Sequence, residues 1–252
     1  MIKSTIYSFI MLILITGCAT TTNTPSKNAD AHYNMAIAYL DTNNYPMAMR
    51  ELETALKYNP NDAKIYYAIS TYYLRKRQAD KAKQYLLKAI ALDKENSYYL
   101  NTYASLLASE GNQREALKVW NKVLEDPTYP TLGIVYFNMG YAYYQLKEFT
   151  SAANYYRRSI DESPKVMKPY LTLYDLYREL GDDQKAIEVL NIGIKNNPVS
   201  SALKLELGKD YYNKGDYEKA GILFNEILDF DKTSAEADEA KKYLKKLGLY
   251  YE

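Results

Sequence analysis

Small and large apolar residues recur at a fixed spacing from Ala29 onward, in a pattern typical of paired amphipathic helices. Each pair has a Tyr near the middle of its first helix, then a polar turn, then an Ala early in its second helix and a large apolar residue four positions later. Residues four apart lie on one helix face, so this pattern predicts a buried stripe. The Ala residues are spaced by 34, 34, 36, 34 and 34 positions: Ala48, Ala82, Ala116, Ala152, Ala186 and Ala220.

These spacings predict six repeats and a terminal helix. With each Ala at position 20, the repeats span 29–62, 63–96, 97–132, 133–166, 167–200 and 201–234, and residues 235–252 form a capping helix and tail. Positions 8 and 20 are small where two helices should cross closely, while positions 11 and 24 are large and fill space between repeats. Tyr174 stands at position 8 of the fifth repeat, so we expect its helices to pack slightly apart. Gly248 is expected to end the capping helix.

The period and the residue types resemble the tetratricopeptide repeat. The resemblance covers 206 residues and includes Pro60, Pro164 and Pro198 at position 32 and the residues at position 11: Tyr39, Tyr73, Leu107, Tyr143, Tyr177 and Tyr211. It implies an all-α, right-handed superhelical solenoid of six repeats with a C-terminal capping helix. The first helices of such an array line a concave face that binds other proteins.

The first 17 residues predict an export signal. Lys3 supplies a positive charge, residues 6–15 are apolar, and small residues precede Cys18. An apolar run of this length is too short to cross a bilayer, which takes about 20 residues.

The sequence at residues 15–18, Ile-Thr-Gly-Cys, resembles the lipobox of bacterial lipoproteins. The resemblance implies cleavage before Cys18 and attachment of acyl chains, palmitate among them, to Cys18. Because Ala19 rather than Asp follows, it also implies sorting to the outer membrane, facing the periplasm. Residues 18–28 are polar and predict a flexible tether. An ordinary cleaved signal that happens to contain a Cys is the alternative.

Two extra residues lie within residues 126–131 of the third repeat, where two Pro predict an early end to the second helix and a stiff extended loop. Together with Asn101 and Tyr103, the segment Asp126–Pro130 resembles an insertion of the pilotin lipoproteins of type IV pili (PilF, PilW and Tgl). That resemblance implies an adaptor that binds a secretin subunit and promotes its outer-membrane localisation and multimerisation. A tolerated loop insertion is the alternative reading of the same residues.

A partner-binding groove is expected on the first helices, at positions 2, 5, 9 and 12 of each repeat. These positions are aromatic and aliphatic through the fourth repeat and turn charged in the fifth. Tyr suits protein contact because it offers a large area with few rotatable bonds; the alternative is that these Tyr are ordinary repeat consensus, packed along the groove. The predicted groove residues are Tyr33, Tyr67, Tyr98, Asn101, Phe137, Tyr141, Tyr144 and Leu171.

Composition narrows the function classes. With 32 basic and 31 acidic residues, the net charge of +1 does not favour nucleic acid. One His and one Cys predict neither a catalytic triad nor a multi-His metal site, and no phosphate-binding glycine loop is present. We therefore expect a non-catalytic adaptor without cofactor or small-molecule substrate. A lipoprotein scaffold for peptidoglycan hydrolases is the alternative function.

Overall fold

The computed structural model describes residues 25–250, so the predicted export signal, Cys18 and the first part of the tether lie outside the described residues. Within residues 25–250 the regular elements are all α-helices. They are α1 (Pro25–Asp41), α2 (Tyr45–Tyr58), α3 (Ala63–Arg75), α4 (Ala79–Leu92), α5 (Ser97–Ser109), α6 (Gln113–Val123), α7 (Leu132–Gln145), α8 (Phe149–Glu162), α9 (Lys168–Glu179), α10 (Asp183–Asn196), α11 (Ser201–Asn213), α12 (Tyr217–Phe230) and α13 (Ala235–Lys246).

The helices form six successive pairs, from α1 and α2 to α11 and α12, and α13 packs on the last pair. Each pair also contacts the next pair along the chain, so the core is a row of apolar clusters rather than one centre. Helix α13 ends at Lys246, and Gly248, which has a φ of 70°, follows its C-cap residue Leu247. The predicted all-α array with a terminal capping helix is confirmed.

Helix α1 begins at Pro25, four residues before the predicted first repeat, so the prediction that residues 25–28 belong to a flexible tether is wrong. Proline is well tolerated in the first turn of a helix, where its missing N–H needs no partner. Residues 25–27 are exposed, whereas Ala29 has no exposed surface. The hydrophobic pattern thus marks where packing begins, one turn after the helix begins.

The predicted small and large positions face each other. All six Ala at position 20 have no exposed surface, and the six residues at position 24 are at most 1% exposed. A Cβ atom added to Gly140 would lie 2.6 Å from Cδ1 of Tyr156, and one added to Gly208 would lie 2.6 Å from Cε1 of Phe224. In these two repeats the ring at position 24 fills the space that a side chain at position 8 would need.

The fifth repeat accommodates Tyr174 at the crowded position 8 in the predicted way. Helices α9 and α10 pack against each other less extensively than the two helices of any other repeat. The Tyr174 side chain is buried, and its hydroxyl donates a hydrogen bond to Oδ1 of Asp210 on α11 at 3.2 Å. The extra bulk is therefore directed toward the next repeat.

The turn inside each repeat closes in the same way six times. The residue at position 15 has a positive φ in every repeat, and the following amide donates to the carbonyl at position 11 over 2.8–2.9 Å. This is the Schellman closure of a helix C-terminus. Gly111, Gly181 and Gly215 adopt it easily, whereas Asn43, Arg77 and Lys147 adopt it with a side chain.

The loop over residues 126–131 differs from the prediction. Helix α6 does stop early, at 11 residues against 14 for the other second helices, but the loop is a compact series of turns rather than an extended segment. Asp126 accepts hydrogen bonds from the Thr128 hydroxyl at 2.6 Å, from the Thr128 amide at 3.0 Å and from the Ser97 hydroxyl on α5 at 2.7 Å. These bonds lower the pKa of Asp126. The carboxylate folds the loop on itself and ties it to α5.

Candidate protein-binding groove

The first helices of neighbouring repeats lie side by side and are linked by residues about one repeat apart. The hydroxyls of Tyr67 on α3 and Thr102 on α5 are hydrogen-bonded at 3.0 Å. The Tyr144 hydroxyl on α7 donates to Oε2 of Glu179 on α9 at 2.7 Å, and this bond raises the pKa of Tyr144. All the predicted groove residues in the repeats lie on this row of first helices, α1, α3, α5, α7 and α9.

In the first two repeats the predicted aromatic residues, Tyr33 and Tyr67, are largely engaged with the array. Lys64 Nζ lies 5.2 Å from the centroid of the half-buried Tyr33 ring. The Tyr67 and Tyr99 rings are 4.7 Å apart. Burial raises the pKa of Tyr33, and it raises the pKa of Tyr99 to about 12. These rings therefore stiffen the junctions between repeats and leave only part of their surface to a partner.

Asn101 connects the insertion loop to the core. Its Nδ2 donates to the Tyr129 hydroxyl at 2.9 Å, and its Oδ1 accepts from Nε1 of Trp120 at 2.9 Å. Trp120 is 1% exposed and Tyr129 is 6% exposed. Tyr98 covers this assembly with its ring 5.1 Å from that of Tyr129, while 52% of its own surface stays exposed. The side-chain amide of Asn101 is thus occupied internally, and Tyr98 is the group that faces solvent.

The fourth and fifth repeats present the more open part of the groove. Phe137, Tyr141 and Tyr144 follow one another at turn spacing along α7, and Leu171 takes the position of Phe137 on α9. Tyr141 is 51% exposed. A cavity of about 220 Å³ lies beside Phe137, lined by Ile134, Phe137, Val166, Lys168, Pro169 and neighbouring residues. Sequence reasoning located these side chains but gave no sign of the cavity.

The contacts between α9 and α11 involve charged side chains, in contrast to the aromatic contacts of the earlier repeats. Asp210 is 3% exposed. The sequence does not predict it as a site residue, because position 10 is not a groove position of the repeat. Its Oδ1 accepts from the Tyr174 hydroxyl and lies 4.0 Å from Nη1 of Arg178, whereas its Oδ2 has no hydrogen-bond partner. Burial raises the pKa of Asp210, although Arg178 and the Tyr174 hydrogen bond act against that shift. A Tyr at the normally small position 8 was the one signal in the sequence that this junction differs.

Two other features are absent from residues 25–250. No three His, Cys, Asp or Glu side chains in that range are grouped so as to hold a metal ion. No helix in the same range has the length and apolar character needed to cross a membrane.

Family models of the tetratricopeptide repeat match residues 29–62, 51–84, 133–166 and 171–235. Together they cover more than half of the chain. The matches at 29–62 and 133–166 have the same bounds as the first and fourth predicted repeats.

In sequence, the chain is similar to the type IV pilus assembly protein PilF of Pseudomonas aeruginosa, with 24% identity over 243 residues, 90% of this chain and 96% of that protein. The solved structure of Pseudomonas aeruginosa PilF matches with a TM-score of 0.67 and 21% identity, over 86% of this chain and 98% of that chain. The structure of PilW, described as a widely conserved type IV pilus biogenesis factor, matches with a TM-score of 0.65 and 21% identity, over 84% and 97%. The resemblance to these proteins is confirmed at the level of the fold.

Replacing Asn101 with Ala should destabilise the third repeat. The indole N–H of the buried Trp120 would lose its acceptor, which costs about 1–3 kcal/mol of the free energy of unfolding. Because Trp120 is the only Trp in the chain, its fluorescence reports the change directly, with emission at longer wavelength if water enters. Asn154→Ala, at an exposed position of α8, is the matched control. Equal melting temperatures and equal emission for the two variants would contradict the assigned role of Asn101.

Replacing Asp210 with Asn should stabilise the protein at neutral and alkaline pH. The raised pKa of Asp210 means that the folded state binds its proton more tightly than the unfolded state, so the wild type loses stability as pH rises through that pKa. The variant with a neutral Asn does not lose this stability. The difference in stability between variant and wild type should vanish as pH falls toward the ordinary Asp pKa. Thermal unfolding of both proteins across this pH range measures the difference. An Asn variant that is less stable than the wild type at every pH would refute the prediction.

Proposed function

Since the chain belongs to the tetratricopeptide repeat superfamily, we propose that it is an adaptor lipoprotein of type IV pilus biogenesis. Its partner is the secretin subunit, whose outer-membrane localisation and multimerisation it promotes. The observation that carries this proposal is the end-to-end correspondence with PilF, which extends over 96% of that protein rather than over a few repeats. Proteins of this superfamily are generally scaffolds, and the proposed role needs no catalytic step.

The groove on the first helices supplies the binding surface for this role. Tyr98 and Tyr141 expose about half of their surface, and the cavity beside Phe137 offers a seat for an apolar side chain. Aromatic residues of this kind dominate protein interfaces because they bury a large area at a small cost in rotamer entropy. The Tyr144–Glu179 hydrogen bond holds α7 and α9 together, so the surface is largely formed before a partner arrives.

Attachment to the outer membrane is part of the proposal and rests on Cys18. Two or more acyl chains give stable anchoring, because each buried methylene contributes about 0.8 kcal/mol. A lipidated adaptor would carry the bound secretin subunit to the membrane in which the ring assembles.

Deleting the gene should abolish heat-resistant secretin multimers and surface pili. The wild-type gene should restore both, whereas a gene encoding Phe137→Ala and Tyr141→Ala should restore them several-fold less well. Phe230→Ala, which removes a ring that is 61% exposed on α12, is the matched control and should restore both fully. Normal multimers and pili in the deletion strain would overturn the proposal. Loss of cell-wall integrity with normal pili would favour the peptidoglycan hydrolase scaffold instead.

Replacing Cys18 with Ser should release the protein from the membrane and leave the secretin mislocalised. Incorporation of labelled palmitate and fractionation of the envelope measure the two parts of this expectation. A protein with wild-type Cys18 that takes up no palmitate, or a Ser variant that still fractionates with the outer membrane, would contradict the anchor.

A further inference from the structure

The groove between α7 and α9 changes character within one helical turn. At position 5 of the two repeats, Phe137 lines the apolar cavity, and Leu171 packs against the neighbouring apolar core. At position 9, four residues along each helix, the corresponding residues are Tyr141 and Asp175. One helical turn of four residues advances about 6 Å. The apolar cavity therefore lies about one turn along α7 from the exposed Tyr141 ring, and about two turns along α9 from the Asp175 carboxylate.

Asp175 lacks a partner within residues 25–250: it makes neither a hydrogen bond nor an ion pair there. Partial burial raises its pKa, and the nearby Glu206 carboxylate on α11 raises it further. Both effects mean that the charged form of Asp175 is less well stabilised than in water, which is the condition that an approaching cation relieves.

Two cations of the same region, Arg178 and Lys209, are already paired. Arg178 forms an ion pair with Asp183. Lys209 pairs with Glu206 at 3.0 Å and with Glu239 at 2.8 Å. Neither cation contacts Asp175, so the carboxylate is left to a partner from outside.

A second, independent observation points the same way. Asp210 on α11 is 3% exposed, and its carboxylate faces α9, where the Tyr174 hydroxyl and Arg178 approach Oδ1. Its Oδ2 is buried without a hydrogen-bond partner. Buried polar atoms are nearly always satisfied, so this oxygen is an unsatisfied acceptor at the junction of α9 and α11. An unsatisfied acceptor favours a ligand group that carries hydrogen-bond donors, as a Lys or Arg side chain does.

We propose that the groove binds a partner segment that carries an apolar side chain and a Lys or Arg, with the apolar side chain in the cavity beside Phe137 and the cation between the Tyr141 ring and the Asp175 carboxylate. An exposed Tyr face and a carboxylate together suit a cationic side chain, through cation–π attraction and an ion pair. This inference rests on the proposed function, because it assigns a chemistry to the partner that the groove receives.

The same residues also set the direction of the bound segment. Lys168 lies at the rim of the cavity, with its Nζ 4.7 Å from the centroid of the Phe137 ring. Lys168 repels a second cation at that end, while Asp175, two turns further along α9, attracts one. Alternate residues of an extended chain are about 6.6 Å apart on one face, close to the one-turn distance between the cavity and Tyr141. An extended segment with the apolar and basic residues two apart fits this spacing.

The test is selection of a random peptide library, displayed on phage, against the purified chain. The enriched peptides should carry Lys or Arg two residues from a large apolar residue. The best peptide, synthesised with a fluorescent label, then gives dissociation constants by anisotropy. Asp175→Asn should weaken its binding roughly five- to tenfold and flatten the dependence of binding on salt, since it removes an ion pair. Asp229→Asn, at an exposed position of α12, is the charge-matched control and should bind as the wild type does.

Three outcomes would overturn the inference: enriched peptides without a cation, equal affinity of the Asp175→Asn variant and the wild type, or equal losses for Asp175→Asn and Asp229→Asn. Melting temperatures of both variants separate loss of binding from loss of folding, and Asp175→Asn should be at least as stable as the wild type because it removes a poorly compensated charge. The result is independent of the pilus phenotype. A deletion strain with normal pili would refute the proposed function and still leave the measured chemistry of the groove.

Discussion

The close crossing of the two helices in each repeat is the constraint on which the rest of the structure depends. An Ala at position 20 and a small residue at position 8 let the helices approach, and the large residue at position 24 then fills the space beside them. A single pair cannot bury both of its faces, so each pair must pack on the next. Because the crossing is repeated with the same geometry, the first helices line up in a row. The groove is therefore a consequence of this packing and does not depend on any single groove residue.

Packing also overrides local backbone preference. Position 15 must adopt a left-handed conformation to close the first helix and start the second, and a Gly accepts this without strain. Arg77 and Lys147 adopt the same conformation with the same hydrogen bond to position 11. The two packed helices thus determine the turn, and the identity of the turn residue is secondary. A related compensation holds in the third repeat, where Asp126 side-chain hydrogen bonds replace the regular helix end that the insertion removes.

The sequence predicts the repeated parts of this protein well, because six copies of one pattern reinforce each other. Helix pairs, the small and large positions and the row of groove residues could all be read from the spacing of the Ala residues. Features that occur once could not. The early start of α1 has no hydrophobic signal, since its first residues are exposed. The fold of the insertion loop depends on hydrogen bonds of Asp126, and the burial of Asp210 depends on a neighbouring repeat. Position 27 is buried in every repeat, yet its residues vary too much in type to be noticed: Ala55, Ala89, Val123, Ser159, Gly193 and Ile227.

The exception at Tyr174 connects the packing inside the fifth repeat to a buried carboxylate in the sixth. A Tyr at position 8 cannot stay between α9 and α10 as a small residue does, so its ring extends to α11 and its hydroxyl meets Asp210. That carboxylate tolerates burial because the hydroxyl satisfies one of its oxygens and Arg178 lies nearby. A smaller residue at position 174 would remove the hydroxyl that donates to Asp210, and burial of the Asp210 carboxylate would then cost more free energy. One departure from the repeat pattern therefore accounts both for the looser packing of the fifth repeat and for the carboxylate buried at its junction with the sixth.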